Sequence, residues 1–318
     1  MHNKITLSQL LNIKHPVIMA PMFLVSNVEM LVEASKAGIT GCVPALNYRT
    51  IDAFEVALKE LKDSCTGPFG VNLIVNKSNF LYKEQLKSCC AFKVDYIITS
   101  LGSPKETINQ AHKAGVKVFC DVVNLDYAKK VEALGADALI AVNKEAGGHF
   151  GPTSYEKLIP ELVENCNIPV ISAGGVGNNT QMQRMMNLGA AGVSVGSIFI
   201  ASTESGVSQE YKEACVNYGA KDIVASNKLS GSYCTVINTP YVKNMGTQQN
   251  GIEKFLNKNK RLKKWFKAFT FYKGMKKFEK AAFSATYKTV WCAGPSIEYV
   301  SAVKPVNEIV KTLVNAKG

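Results

Sequence analysis

The sequence predicts an α/β protein: a (β/α)8 TIM barrel with a helical insertion or cap after its eighth strand. Three observations point there. Eight short apolar runs follow one another at near-even spacing, amphipathic helical patterns fill the gaps, and the alternation stops after the eighth run. Strand–helix alternation argues for parallel βαβ units, and strands apolar almost throughout argue for burial on both faces. An open doubly wound sheet typically has fewer strands and a G-x-G-x-x-G after the first. Here the first run leads into APMFLVSN instead.

The runs are PVIMA from Pro16, ITGCVPA from Ile39, PFGVNLIV from Pro68, VDYIITS from Val94, VKVFCDVV from Val116, DALIAV from Asp137, IPVISA from Ile168 and AGVSVGSIF from Ala191. Their starts are 23, 29, 26, 22, 21, 31 and 23 residues apart. Patterns such as VEMLVEASKAG and TINQAHKAG lie between them. Gly38, Gly115, Gly135 and Gly189 stand where a left-handed C-cap would end a helix. Residues 205–286 then read as lysine-rich helix without strand alternation. The stretch VWCAGPSIEYVSAVKPVNEIVKTLV reads as a loop returning to the barrel and a closing amphipathic helix. The expected division is a barrel of residues 1–204 and 287–318 with a basic helical cap of residues 205–286.

Composition agrees with this size of core. The 318 residues are 47% hydrophobic and 19% charged, which excludes disordered and collagen-like classes. A barrel needs roughly 250 residues and no disulfide or metal to hold it. Near the start the longest apolar stretch, Pro16 to Val25, has 10 residues, where a spanning helix needs about 20. No membrane span is therefore read. The opening MHNKITLSQL lacks the basic-then-apolar layout of a signal peptide. Nine cysteines without a C-x-x-C pair or zinc-ligand spacing read as a reduced, cytoplasmic protein.

The net charge of +12 is concentrated. Lys254–Lys280 holds eleven Lys/Arg and one acid, leaving the rest of the chain nearly neutral. Leu262, Phe266 and Phe269 recur there at helical spacing. Three readings stay open: a cap helix with solvated lysines, a docking surface for an acidic partner or anionic cofactor, or nucleic-acid or membrane-surface binding. Nothing else in the chain supports nucleic-acid recognition, which is set aside.

In such barrels chemistry belongs at the C-terminal ends of the strands. The first run ends in Ala20, Pro21 and Met22, and the third contains Asn72. Glycine-rich turns follow the seventh run (Gly174, Gly175) and the eighth (Ser194, Val195, Gly196, Ser197). Each alone could merely make a tight turn. At these two strands together they predict phosphate binding by bare backbone N–H groups, with the Ser197 hydroxyl added. Without a Rossmann motif, the expected occupant is FMN.

After the sixth run comes Glu145-Ala-Gly147-Gly148-His149. Of the four histidines, His2, His15 and His112 read as structural or solvated, and His149 stands in a glycine-flanked loop at a strand end. An imidazole neutral near pH 7 suits proton transfer at carbon; a structural loop histidine is the alternative. No second ligand lies at metal spacing, so no metal is expected. Glu145 reads as a loop anchor. Asp121 and Glu145 could form a glycosidase pair but have no aromatic sugar platform. The loop also lacks the cysteine an IMP-dehydrogenase-like enzyme needs, and Cys42 and Cys120 read as buried apolar residues.

The set APMFLVSN, GPFGVN, TSLGSP, GADALIAVNKEAGGHFG, PVISAGGVGNNTQMQRMMNLGAAGVSVGSIFIASTES and WCAGPSIE resembles the nitronate monooxygenase (formerly 2-nitropropane dioxygenase) family and its relative, the FabK-type flavin-dependent enoyl-ACP reductase. The resemblance covers roughly residues 5–205 and 290–315. It implies FMN contacts at Met22, Asn72, Gly147, Gly174, Gly175 and Ser194–Ser197, with His149 as the active-site histidine. The chain departs from the family at Val142-Asn143, where Gln-Gly is common, and at Ser194 and Ser197, where the family has Gln and Thr.

The resemblance implies an FMN-dependent oxidoreductase that turns alkyl nitronates or nitroalkanes and O2 into carbonyl compounds and nitrite. The alternative is a FabK-type enoyl-ACP reductase or acyl-ACP dehydrogenase, which the basic Lys254–Lys280 segment favours because acyl carrier protein is acidic. A third reading is a flavin-binding protein with a degenerate site. The expected partners are a small nitronate with O2, acyl carrier protein at the basic segment, and a second copy of the chain in a homodimer.

Overall fold

The computed structural model describes residues 5–76, 78–227, 233–248 and 290–315. Strands β1 (Val17–Met19), β2 (Thr40–Pro44), β3 (Phe69–Ile74), β4 (Tyr96–Ser100), β5 (Lys117–Val122), β6 (Ala138–Val142), β8 (Val170–Ala173) and β9 (Gly192–Val195) close a barrel in chain order. Every neighbouring pair is parallel, and β1 closes on β9 with Ile18 opposite Ser194. The eight strands lie where the eight runs were expected. The two-residue strand β7 (Gly148–His149) stands outside the barrel.

Helices α2 (Val28–Lys36), α3 (Ile51–Ser64), α4 (Tyr82–Ala91), α5 (Lys105–Lys113), α6 (Leu125–Ala133), α7 (Tyr155–Asn165) and α8 (Asn179–Asn187) form the outer layer. Their boundaries follow local chemistry. Asn27, Thr50, Asn124 and Asn178 cap α2, α3, α6 and α8 with side-chain oxygens. Gly38, Gly115, Gly135 and Gly189 all take positive φ just past helix ends, the conformation that costs glycine least. The short α1 (Leu7–Leu11) plugs the N-terminal end of the barrel: Leu7 is fully buried, and its N–H donates to Ala191 O.

Period-two alternation sorts the strand residues into two cores. Val17, Met19, Val43, Val71, Ile97, Val118 and Leu139 pack outward under the helices. Ile18, Cys42, Tyr96, Ile98, Phe119, Ile140 and Ile171 fill the barrel with Leu7 and Leu11. The Tyr96 and Phe119 rings stack at 4.9 Å, and a Cβ at Gly70 would lie 2.2 Å from the Tyr96 ring. Gly70 is thus the vacancy in β3 that lets tyrosine fill the interior. Two residues further along the same inward rows come Asn72, Ser100 and Asp121. The rule that fills the barrel therefore also aims a polar layer at its C-terminal mouth.

The segment after β9 carries helix, as expected, but not helix alone. A 3₁₀ turn (Ser197–Ala201) and α9 (Gln209–Asn217) lead into β10 (Ile223–Ser226) and β11 (Cys234–Ile237), then α10 (Pro240–Met245). β11 pairs antiparallel with β10 on one side and β7 on the other. The expectation of no strand in this insertion is corrected. Strands of four residues inside lysine-rich sequence give no extended alternation to detect. A second apolar cluster, including Val25, Ile200, Tyr211, Ile237, Trp291 and Ile297, joins the insertion to the returning chain. Tyr211 stacks on Trp291 at 5.7 Å and donates its hydroxyl to Cys292 O. The last described helix (Val306–Val314) packs on α2 and α8, closing the outer ring as expected. The basic segment Lys254–Lys280 lies outside the described residues.

Candidate active site

The C-terminal mouth of the barrel and the small β7–β11 sheet enclose a cavity of about 750 Å³, a volume usual for cofactor and ligand sites. Met22, Asn72, Gly147, His149, Gly174, Gly175, Ser194, Val195, Gly196 and Ser197 all line it. Ten residues singled out along nearly two hundred positions thus share one wall.

Each loop around the mouth is held by identifiable bonds. After β1, Ser26 Oγ accepts from Met22 N (3.0 Å) and donates to Ala20 O (3.0 Å). After β6, the fully buried Asn143 acts as a bracket. Its Nδ2 donates to Gly174 O at 3.1 Å and its Oδ1 accepts from Glu145 N at 2.8 Å. One amide therefore ties the β6 loop to the β8 loop. Asn143, not the Glu145 carboxylate, anchors this loop; Glu145 lines the cavity, and burial, its largest influence, raises its pKa. Thr235 Oγ1 on β11 donates to Ala146 O at 3.1 Å, pinning the loop from the other side.

The glycines here are required by close approach. A Cβ at Gly174, where φ is +116°, would lie 2.5 Å from Ala146 N and 2.6 Å from Asn143 Oδ1. A Cβ at Gly147 would lie 2.7 Å from Ser197 Oγ and 2.9 Å from Gly294 N. Ser197 is 6% exposed and accepts from Gly294 N at 2.8 Å, leaving its own O–H to donate elsewhere. The N–H groups of Gly174, Gly175 and Gly196 find no acceptor among the described residues. All three glycines are half-buried and line the cavity, so these donors are free to meet water or an anion there. A phosphate ester fits them, which is the donor chemistry an FMN phosphate needs.

Opposite lies a directed polar chain. Asn72 Nδ2 donates to Ile98 O (3.1 Å) and to Ser100 Oγ (2.8 Å), and Ser100 donates to Asp121. Both Asn72 N–H bonds are thereby spent, which leaves its Oδ1 as the acceptor. Burial pushes the Asp121 carboxyl up to about 6, and hydrogen bonding from Ser100 only partly offsets it. Sequence reading weighed Asp121 only as half of a carboxylate pair. The inward row after Phe119 was the signal that places it.

His149 opens to solvent through the mouth yet is ringed by protein atoms, and that burial lowers its pKa below the ordinary 6.5. The neutral imidazole is the form present at pH 7. It is held by β7, which pairs His149 with Cys234 and Gly148 with Thr235. Cys234, Cys292, Tyr211 and Tyr233 also line the cavity, and sequence reading missed all four as site residues. They come from the insertion and the return segment, where no local motif marks them. Among the described residues no cluster of three or more His, Cys, Asp or Glu could hold a metal ion, and no helix is long and apolar enough to cross a membrane.

The nitronate monooxygenase family model matches residues 4–91 and 79–316. The chain belongs to this family. A dehydrogenase of a hydroxy-methyl-oxo-octahydroindene-carboxyl-CoA from Rhodococcus jostii is 30% identical over 239 residues, covering 75% of this chain and 67% of the relative. A probable nitronate monooxygenase from Staphylococcus haemolyticus is 28% identical, covering 77% and 81%. Among solved structures, FabK from Thermotoga maritima superposes with a TM-score of 0.84 at 28% identity over 97% of this chain and 94% of that one. A nitroalkane oxidase from Streptomyces ansochromogenes shares the fold at a TM-score of 0.81 and 22% identity, covering 96% of each chain. The chain is thus an oxidoreductase and, by family, a flavoprotein. The family frame makes sense of Val142-Asn143: where the family commonly has Gln-Gly, the asparagine amide here serves the loop bracket.

Proposed function

We propose that the protein is an FMN-dependent nitronate monooxygenase in which His149 manages the substrate proton. One observation carries this reading: a lone neutral imidazole and an unpaired set of backbone amides open into the same cavity. The N–H groups of Gly174, Gly175 and Gly196 and the Ser197 hydroxyl would hold the FMN phosphate, while Met22, Asn72 and Gly147 would flank the rest of the cofactor. Bound there, FMN would supply electron acceptance from the substrate and its onward transfer to dioxygen.

The chain's own residues do the rest. Nitroalkanes are carbon acids acidic enough for an imidazole base, and the lowered pKa keeps the His149 ring nitrogen free to take the α-proton. The ring then carries positive charge beside the nitronate anion it has made. Gly147 and Gly148 keep side chains from the approach, and the apolar wall of Val142, Ile200 and Val290 limits water around the reacting centre.

A visible absorption spectrum of the purified protein, before and after anaerobic NADH and then a nitronate, tests the cofactor and its electron source together. Oxygen uptake with small nitronates tests the reaction. A flavin-loaded protein that consumes no oxygen with any small nitronate overturns the reading.

A second reading, reduction or oxidation of the α,β bond of an acyl thioester, is favoured by a specific observation. One 30% identical relative is named for dehydrogenation of a carboxyl-CoA, a thioester. NADH-driven turnover of an enoyl thioester selects it. Neutralising Lys263 and Lys264 should then weaken a carrier-protein substrate more than a free thioester.

A further inference from the structure

Three side chains on the floor of the cavity form a hydrogen-bonded row that ends on a carboxyl group. Asn72, Ser100 and Asp121 come from β3, β4 and β5, and all three line the cavity. Ile98 O fixes the direction of the row, because a carbonyl can only accept. It takes a bond from Asn72 Nδ2, the same nitrogen donates to Ser100 Oγ, and the Ser100 hydroxyl then donates to Asp121 Oδ2. Among the described residues no donor meets Asn72 Oδ1 or Asp121 Oδ1. Two oxygens linked through Ser100 are thus left for a ligand. The amide oxygen can only accept, whereas the carboxyl oxygen accepts when ionised and donates when protonated.

Nothing near Asp121 supplies a counter-charge. The described lining holds two carboxyl groups, Asp121 and Glu145, and no Lys or Arg. The titratable groups that face Asp121 are Cys42 on β2, Cys120 beside it on β5 and Tyr127 on α6. Burial pushes all three up, Cys120 to about 12, so each is neutral from pH 5 to 8. Glu145 and His149 belong to the loop after β6. An ionised Asp121 is therefore an unpaired charge at the barrel floor, and a ligand seated over it would strip away its remaining water. Charge without water or a counter-ion is costly, and a carboxyl so placed takes up a proton instead.

The row faces the glycine turns across the mouth: in the closed ring, β3 and β4 lie four places from β8 and β9. A ligand with its phosphate on the Gly174, Gly175 and Gly196 amides, and its other end across the mouth, meets Asn72 and Asp121. We propose that Asp121 binds the cofactor ring as a neutral acid, its O–H donating to a ring carbonyl while Asn72 Oδ1 accepts from the adjacent ring N–H, so that seating the ring takes up one proton. This deepens the flavin reading above and rests on it. The pyrimidine edge of a flavin carries such an N–H beside a carbonyl in one plane, which matches one fixed acceptor and one protonated acid. The sign follows from linkage: a site that gains a proton on binding holds its ligand more tightly at low pH and loses affinity as pH rises. Burial sets the free carboxyl at about 6, which places the loss above that pH.

The test titrates the full chain, freed of bound flavin, with riboflavin and with FMN from pH 5 to 8, read by flavin fluorescence. Riboflavin has the same ring and no phosphate, so phosphate ionisation does not enter its profile. Wild-type affinity for riboflavin should fall at least about tenfold between pH 5 and pH 8. Asp121→Asn copies the protonated acid, keeping an oxygen for Ser100 and offering an N–H to the ring. It should lose that fall and at pH 8 bind at least about tenfold more tightly than wild type. Glu145 and His149 are untouched in this variant, so the difference between the two profiles belongs to Asp121. With FMN the phosphate contributes equally to both proteins, and the same difference should appear. Ser100→Ala removes the bond that holds the carboxyl down and should move the fall to higher pH. A flat wild-type profile, or an Asp121→Asn profile parallel to wild type, overturns the proposal and leaves the flavin reading standing. A chain that binds neither flavin at any pH, in wild type or variant, overturns both.

Discussion

His149 and Cys234 stand directly opposite each other in the antiparallel pairing of β7 with β11. The residue from the barrel loop is therefore positioned by a strand that belongs to the insertion. Two-stranded pairings are marginal alone, but β11 is also paired to β10 and buried through Val236 and Ile237. The insertion thus forms one wall of the site and pairs along the backbone with His149. Changes in β11 should reach chemistry through His149 without touching the glycine turns after β8 and β9.

Replacing His149 with alanine or glutamine should lower kcat/KM for a nitroalkane by about 10²–10⁴, the usual range for a lost acid–base group. Cofactor content should be unchanged, because the amides of Gly174, Gly175 and Gly196 are untouched. The pH profile carries the sign. Burial lowers the His149 pKa, so activity should rise through a pKa below the ordinary 6.5 and be flat at neutral pH. The same shift means that folding stability due to His149 is present above 6.5 and is lost as pH falls through the folded pKa. Steady-state rates from pH 5 to 8 and denaturant midpoints over that range check both statements.

Asn143→Leu should destabilise the protein by about 1–3 kcal/mol, because Gly174 O and Glu145 N lose their buried partners together. Asn143→Asp should cost at least as much at neutral pH, since the carboxylate still accepts from Glu145 N but sets a fully buried charge against Gly174 O. Urea unfolding orders the two variants. Titration with FMN should show both weakening the cofactor, since the bracket sets how the two loops face each other.

How far these residues were legible in the sequence depends on whether their constraint is local. Strand starts such as Pro16, Val94 and Ala191 show because buried parallel strands are apolar without interruption, and helix ends such as Gly115 show because one residue type fits them. His149 shows because its flanking glycines are consecutive. Asn143 showed only as a departure from the family's Gln-Gly, since its two partners lie on different loops and only folding unites them. Cys234 and Cys292 were invisible as cavity-lining residues, because one lies in a four-residue strand and the other in the returning chain, and no local motif marks either.

Gly174→Ala tests the close approach of the two loops. The new methyl would meet Ala146 N at 2.5 Å, and φ is +116°, a conformation side chains rarely adopt. Backbone and not a flexible side chain is struck, so the loops must separate. The expected result is a loss of FMN affinity of at least about tenfold, with a stability cost of about 1–3 kcal/mol. Gly67→Ala is the control. Its Cβ would meet nothing within 4 Å and lies outside the cavity lining, so the variant should retain the affinity.

Asp121→Asn tests the polar layer at the barrel mouth. Burial raises the Asp121 carboxyl to about 6 in the folded protein, against about 3.9 when unfolded. With a raised pKa the folded state binds the proton more tightly, so the stabilising contribution is complete below about 3.9 and lost as pH rises through about 6. At pH 8 wild type carries the full cost of a buried charge, while the asparagine carries none and still accepts from Ser100. The variant should therefore gain stability relative to wild type at pH 8, with a smaller gain at pH 5. Parallel urea titrations at the two pH values check this. An equal gain at both would mean that the carboxyl titrates as if exposed, and that the Asn72–Ser100–Asp121 chain is not sealed from solvent.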